Sequence, residues 1–207
     1  MESNEIKRLL KLCAYEDELY SNGYGLIAGV DEVGRGSLAG PLVAAAVILD
    51  RKKFIIENLD DSKKIDGITR RELCRKIIKS CICWSAVEIS PELIDEINVN
   101  NANILGFKKA VSKLKRKPDI ILSDFLEVDL GIELIPVTNG DQISISIAAA
   151  SIIAKVIRDK MMVNLGEYFP EYGFKYNKGY GTKRHLLALQ KYGPSKIHRL
   201  SYTGVLN

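Results

Sequence analysis

The chain has 207 residues, 46% hydrophobic and 27% charged, with a formal net charge of +4, an ordinary globular composition and enough length for one well-buried domain. No apolar run reaches the length of a membrane span, and Met1-Glu-Ser-Asn-Glu-Ile-Lys7 has neither the basic start nor the apolar core of a signal peptide, so a cytoplasmic protein without membrane contact is expected. Four cysteines (Cys13, Cys74, Cys81, Cys83) contain no C-x-x-C pair and lie far from the only histidines, His185 and His198, which argues against a zinc site and for reduced core thiols.

In chain order, residues 5 to 20 read as an amphipathic helix closed by Asn22-Gly23. Leu26-Ile-Ala-Gly-Val30 follows as a short apolar run fit for a strand buried on both faces, and it ends in Asp31-Glu32 and then Gly34-Arg35-Gly36. Acids just past the carboxyl end of a strand stand where open α/β sheets collect ligands. Glycines let main-chain N–H groups approach an anion, and arginine adds a planar fork suited to phosphate. The bland alternative is a tight glycine turn with solvated charges. A regular strand would point Asp31 and Glu32 to opposite faces, so both side chains reach one site only if the strand breaks there; Glu32 could otherwise act through its main-chain carbonyl or through a water.

Leu42 to Leu49 is a second buried strand. Asp60-Asp61-Ser62-Lys63-Lys64 is a polar connection whose Ser-Lys-Lys tract could clamp a phosphate or simply be solvated loop. Thr69 and Glu72 fit a capping box opening a helix with Leu73, Ile77 and Cys81 on its buried face. Ile82 to Ile89 reads as a third strand, and Ser90-Pro91 opens another helix. The asparagine-rich run 98 to 103, able to cap helices or bind a ligand, precedes a helix ending near Leu114.

Asp119 to Asp124 is a fourth strand, again ending in an acid, and Glu133 to Val137 a fifth. Asn139-Gly140-Asp141 leads into a helix over 143 to 162, where Ile147, Ala150, Ser151, Ala154, Ile157 and Met161 form one stripe whose small members let it lie close on the sheet. Residues 166 to 182 read as a loop of aromatics, glycines and lysines, suited to stacking on a sugar or base beside phosphate contacts, with some tyrosines packed instead under the sheet edge. A last helix starts at Thr182 and stops at Gly193-Pro194. From Gln142 to Asn207 there are ten Lys and Arg against three Asp and Glu, a basic third that suits a polyanion.

If the first and fourth strands are parallel neighbours, Asp31 and Asp124 converge at one sheet edge, and the helix start at Asp141 adds a third carboxylate. Clustered carboxylates repel unless they share protons or a cation, and an oxygen-only donor set selects Mg²⁺ or Mn²⁺. Such a site beside a basic, aromatic surface points to metal-dependent phosphodiester hydrolysis.

Taken together, Asp31-Glu-Val-Gly-Arg-Gly36, Asp61-Ser-Lys-Lys64, Gly140-Asp141 followed by the run from Ser146 to Asp159, Lys178-Gly-Tyr-Gly-Thr-Lys-Arg-His185 and His198-Arg199 resemble the ribonuclease HII family, over nearly the whole chain and in order. The resemblance implies one domain over 1–207, with an N-terminal helix to about 24, a catalytic core to about 165 and then a substrate-binding loop, helix and tail. Its fold would be α/β and ribonuclease H-like: a mixed five-stranded sheet flanked by helices, plus a helical C-terminal region. The implied activity is Mg²⁺- or Mn²⁺-dependent cutting of RNA in RNA–DNA hybrids and of lone ribonucleotides in duplex DNA, on their 5′ side, leaving a 3′-hydroxyl and a 5′-phosphate, by a monomer.

Asp31, Glu32, Asp124 and Asp141 would be the catalytic, metal-binding acids. Gly34-Arg35-Gly36 would read the ribose 2′-hydroxyl, Tyr180 would pack on the adjoining deoxyribose, and Ser62, Lys63 and Lys64 would meet phosphate. The chain departs from the family pattern at Phe125, where glycine is usual, and at Asn177, where histidine is usual. Whether the tail docks to a replication clamp is left open. The rival readings are another nuclease or strand-transfer enzyme of the same fold, and a non-catalytic nucleic-acid binder. Carboxylates at a polyanion site disfavour the binder unless a cation lies between.

Overall fold

The computed structural model describes residues 3–53, 59, 65–124 and 128–206. Ser62, Lys63, Lys64 and Phe125 therefore lie outside the described residues.

Five strands form one mixed sheet: β1 (Ile27–Val33), β2 (Leu42–Ile48), β3 (Cys83–Ile89), β4 (Ile120–Asp124) and β5 (Leu134–Val137), in the order β3-β2-β1-β4-β5. β1 runs antiparallel to β2 and parallel to β4, so the strand-end acids do come to the same edge. β2 is buried at all seven positions because helices cover both faces. Val43, Ala45 and Val47 meet α3 (Gly67–Ser80) and α7 (Ile145–Tyr168), while Leu42, Ala44, Ala46 and Ile48 meet α4 (Pro91–Ile97) and α5 (Val99–Ser112). Burial on both sides is why the strand shows no polar alternation.

α7 is the central helix, and its closeness to the sheet has a definite cause. A Cβ on Gly29 would stand 2.1 Å from the Ser146 carbonyl carbon, so only glycine admits the helix there, and the small residues Ala148, Ala149, Ala150 and Ala154 continue the contact. Among the described residues, no helix is long and apolar enough to cross a membrane.

Several local expectations are corrected. The first helix is two, α1 (Ser3–Leu12) and α2 (Ala14–Ser21); Cys13 sits between them at φ −91°, ψ −4°. The turn presents Glu16, 3% exposed, to the Ser144 and Ser146 hydroxyls. α3 is capped by Asp66, whose carboxylate accepts from Ile68 N and Thr69 N, so Thr69 lies inside the helix. Asn100, Asn101 and Asn103 lie within α5, with Asn98 as the cap at φ 65°.

The helix expected over 143 to 162 is divided into α6 (Gly140–Ile143) and α7, the latter capped by Ser144 and extending to Tyr168. The segment read as loop is mostly helical: a 3₁₀ turn over Pro170–Tyr172, then α8 (Phe174–Asn177). Tyr172 and Phe174 are buried there, with rings stacked at 5.4 Å, and this apolar contact overrides the glycine and lysine signal. α9 (Lys183–Tyr192) is capped by Thr182 as the sequence indicates. The four cysteines are free, three of them buried.

Candidate active site

β1 does not break at its acids. Asp31 pairs with Ala45 and Glu32 with Ala44 in an unbroken ladder to β2, so the two side chains point to opposite faces of the sheet. Asp31 lies on the α7 side, where Ser151 hydrogen-bonds it; Glu32 lies on the α5 side, beside Asn103. The parallel pairing of β1 with β4 stops at Val30 and Ser123. Beyond that point Asp124 stands at the open end of β4 and acts electrostatically on both acids. Asp124 follows Ser123 in register beside Asp31 and is two residues on from Leu122, which packs with Ile147 of α7, so it shares the Asp31 face while its charge still reaches Glu32.

Burial pushes the Asp31 carboxyl well above the usual carboxylate range, with the charges of Glu32 and Asp124 adding to it. Glu32 is raised mainly by burial, and opposed by the Arg35 guanidinium, whose Nη1 lies 3.8 Å from Glu32 Oε1. Asp31 Oδ1 accepts from the Glu32 amide at 2.7 Å, and Asp124 Oδ1 from the Gly140 amide at 2.8 Å. That second bond ties α6 to the end of β4 and places Asp141, 3% exposed, one residue from Asp124's partner.

Glu32 Oε2 is buried and has no hydrogen-bond partner. An all-oxygen donor set, carboxylates close enough to raise one another's proton affinity, and an orphaned carboxylate oxygen fit a hard divalent cation. Among the described residues, no group of three or more His, Cys, Asp and Glu side chains is arranged to hold an ion as it stands. The acids surround the sheet edge rather than form a finished cage.

The glycine-flanked arginine lies beside this edge. Gly34 has φ 96°, and a Cβ on it would stand 2.2 Å from Arg158 Nε. Arg35 and Gly36 are exposed, and a Cβ on Gly36 would meet open space. Two fully buried arginines hold the loop from beneath. Arg158 donates to the carbonyls of Pro41, Lys178 and Ala39, at 2.8, 2.9 and 3.2 Å. Arg199 donates twice to Gly40 O and once to Arg35 O, which also accepts from the Tyr202 hydroxyl.

Tyr180 is 36% exposed, with the Arg158 guanidinium 5.5 Å and the Lys155 ammonium 5.9 Å from its ring centre. Its segment is braced by Asn177, which donates to Tyr172 O and accepts from Gly179 N. Asn177 thus has a fixed structural role. A buried histidine pair lies below: Ser195 N donates to His198 Nδ1, the two Nε2 atoms lie 3.0 Å apart, and His185 Nδ1 meets Tyr180 O at 3.0 Å. With His185 Nδ1 donating to that carbonyl, the pair forms one neutral relay in which His198 donates to His185.

The sequence reading missed this understructure. Arg158 and Arg199 look like members of the basic third, yet both are 0% exposed. Of the asparagine run, open in sequence between capping and ligand binding, Asn98 caps α5 and Asn103 lies beside Glu32. The signal available for Arg158 was its place among the small apolar residues of α7.

A family model described as Ribonuclease HII matches residues 28–205. Curated relatives named ribonuclease HII include one from Caldicellulosiruptor bescii, 49% identical over 188 residues (90% of this chain, 91% of that protein), and one from Acholeplasma laidlawii, 48% identical over 192 residues (93% and 94%). Among solved structures, the ribonuclease H2 from Pyrococcus horikoshii OT3 superposes with a TM-score of 0.76 at 27% identity, covering 87% of this chain and 95% of that one. The ribonuclease HII of the PCNA complex from Archaeoglobus fulgidus gives 0.75 at 28%, covering 86% and 95%. On that match and on the ribonuclease H-like fold just described, the chain belongs to the ribonuclease HII family, an enzyme family of divalent-metal-dependent ribonuclease H endonucleases.

Proposed function

We propose that the protein hydrolyses the RNA strand of RNA–DNA hybrids and nicks duplex DNA on the 5′ side of a single embedded ribonucleotide, leaving a 3′-hydroxyl and a 5′-phosphate. The observation that carries this reading is the pair of raised acids, Asp31 and Glu32, both acted on by the Asp124 charge, beside the exposed Arg35 and Gly36. Asp31, Glu32, Asp124 and Asp141 are the residues that would hold Mg²⁺ or Mn²⁺. When bound, such ions lower the pKa of water and offset charge on the phosphate.

The chain's own residues do the remaining work. Asp31 and Glu32 approach the sheet edge from its two faces, and Asp124 joins Asp31 from the end of β4. Gly36, open to solvent, leaves main-chain groups accessible to a ribose 2′-hydroxyl, the one group that tells RNA from DNA at a single position, and the buried Gly34 sets the turn that presents it. Tyr180 offers its exposed ring surface to the adjoining sugar. Ser62, Lys63 and Lys64 remain the proposed phosphate contacts. The protein acts as a cytoplasmic monomer.

The test compares a duplex carrying one ribonucleotide with an all-DNA duplex, with Mn²⁺ or Mg²⁺ and with EDTA. Cutting of the first substrate alone, abolished by EDTA, is expected. Equal cutting of both would remove the ribonucleotide reading, and tight binding with no cutting would favour a non-catalytic binder.

A further inference from the structure

The face of α5 that meets the acids carries two asparagines one turn apart. Asn100 Oδ1 accepts from Arg35 Nη2 at 3.0 Å, and Arg35 Nη1 in turn faces Glu32 Oε1. Three residues further on, Asn103 is 1% exposed, and neither its Nδ2 nor its Oδ1 has a hydrogen-bond partner. Of the five buried, unpartnered side-chain atoms among the described residues, three belong to Asn103 and Glu32.

One turn beyond, Gly106 lies against Ala44, the residue opposite Glu32 in the β1–β2 ladder. That contact presents α5 to the stretch of sheet carrying Glu32. The Asn103 amide is near enough to favour an ionised Glu32 without closing a hydrogen bond of ordinary length. A buried amide that pairs with nothing weakens a fold, and an apolar side chain of that size would suit a purely structural position better. Orphaned polar atoms facing one another across a site indicate a polar group held between them in the working state.

We infer that Asn103 is a positioning residue: from the α5 side its amide orients Glu32 and the polar shell around Oε2, and so sets how tightly the acid cluster holds a divalent cation. Asn100 does the matching work for Arg35, leaving Glu32 with one oxygen toward a guanidinium and the other toward an amide. The inference rests on the reading that the carboxylates take the cation.

The test is calorimetric titration of the full chain with Mn²⁺, without nucleic acid. Asn103→Leu should weaken Mn²⁺ binding by about tenfold, the scale on which partners of metal ligands act, while its thermal stability in EDTA stays level or rises because an unpaired amide has gone. Asn103→Ser keeps a donor and should lose about threefold on that scale; it carries the test if the leucine variant does not fold. In cleavage, kcat at limiting Mn²⁺ should fall and excess Mn²⁺ restore it, with KM for the duplex unchanged. Folded variants within twofold of the parent in Mn²⁺ affinity, beside a Glu32→Gln control that binds weakly, would overturn the inference alone. Unchanged Mn²⁺ affinity in Glu32→Gln would overturn the carboxylate reading and the inference with it.

Discussion

Two buried charged clusters lie on either side of the Gly34-Arg35-Gly36 loop, and they are built on opposite principles. Arg158 and Arg199 are completely buried, yet their guanidinium groups are met by main-chain carbonyls at every side. Burial lowers Arg158 to about 10, still far above neutrality. Asp31, Glu32 and Asp124 are surrounded instead by one another's charge, and Glu32 keeps a buried oxygen without a partner. A satisfied buried charge fixes a fold. An unsatisfied one is a standing cost that remains only where something else uses it.

The sharpest way to break this comparison is Asp31→Asn. Cleavage should fall by more than about a hundredfold, the loss expected when a group stabilising the transition state is removed, while stability in EDTA at pH 7 rises. The sign follows from linkage: Asp31's folded pKa is raised, so its favourable contribution is present below the unfolded value and is lost as pH rises through the folded one, leaving a penalty at neutrality that the amide lacks. A denaturant midpoint that drops instead would make Asp31 a structural acid. Asp124→Asn should likewise retain fold and duplex binding and lose turnover.

Arg199→Met tests the other cluster and should cost about 3–5 kcal/mol of stability, because it strands the buried Gly40 carbonyl and takes one of the two donors from Arg35 O; chemical denaturation measures it. A loss below about 1 kcal/mol, the value of an ordinary hydrogen bond, would refute the scaffold role. Gly34→Ala should cost about 1–3 kcal/mol, from the positive φ and the closeness of Arg158.

The smallest effect concerns the histidine relay. Burial lowers His185, and lowers His198 to about 4 with help from its neighbour. Both are neutral when folded, so stability is full above pH about 6.5 and declines as the pH falls toward 4, where only the unfolded chain takes up protons. Thermal melts across that window should show the decline, and His198→Gln should flatten it.

Much of this architecture is legible in the chain, and the failures have physical causes. The buried strands, the Ser90 cap, the helix start at Thr182 and the acid ending of β4 follow from local pattern, because hydrophobic runs and capping chemistry act over a few residues, whereas β1 continues through Asp31 and Glu32 to Val33, held by its ladder to β2. The capping box at Thr69 was superseded by Asp66, whose carboxylate reaches two amides and the Thr69 hydroxyl. The supposed loop after Gly166 is helical because Tyr172 and Phe174 pack with Met162 and Leu189, a contact made by residues distant in sequence. The strand break set as the condition for Asp31 and Glu32 to share one face does not occur, because the ladder to β2 continues through both.

By itself the amino-acid order determined the family, the acids at strand ends and the glycine-flanked arginine, since these depend on residue type and short spacing. Only the tertiary structure decided that Asp31 and Glu32 approach from opposite faces with Asp124 beside Asp31, that two arginines of the basic third serve as buried props, and that Asn103 stands beside Glu32 without a hydrogen bond of ordinary length. Those facts depend on which strands are neighbours and on how close α5 and α7 lie to the sheet, and close packing joins residues that no local spacing relates.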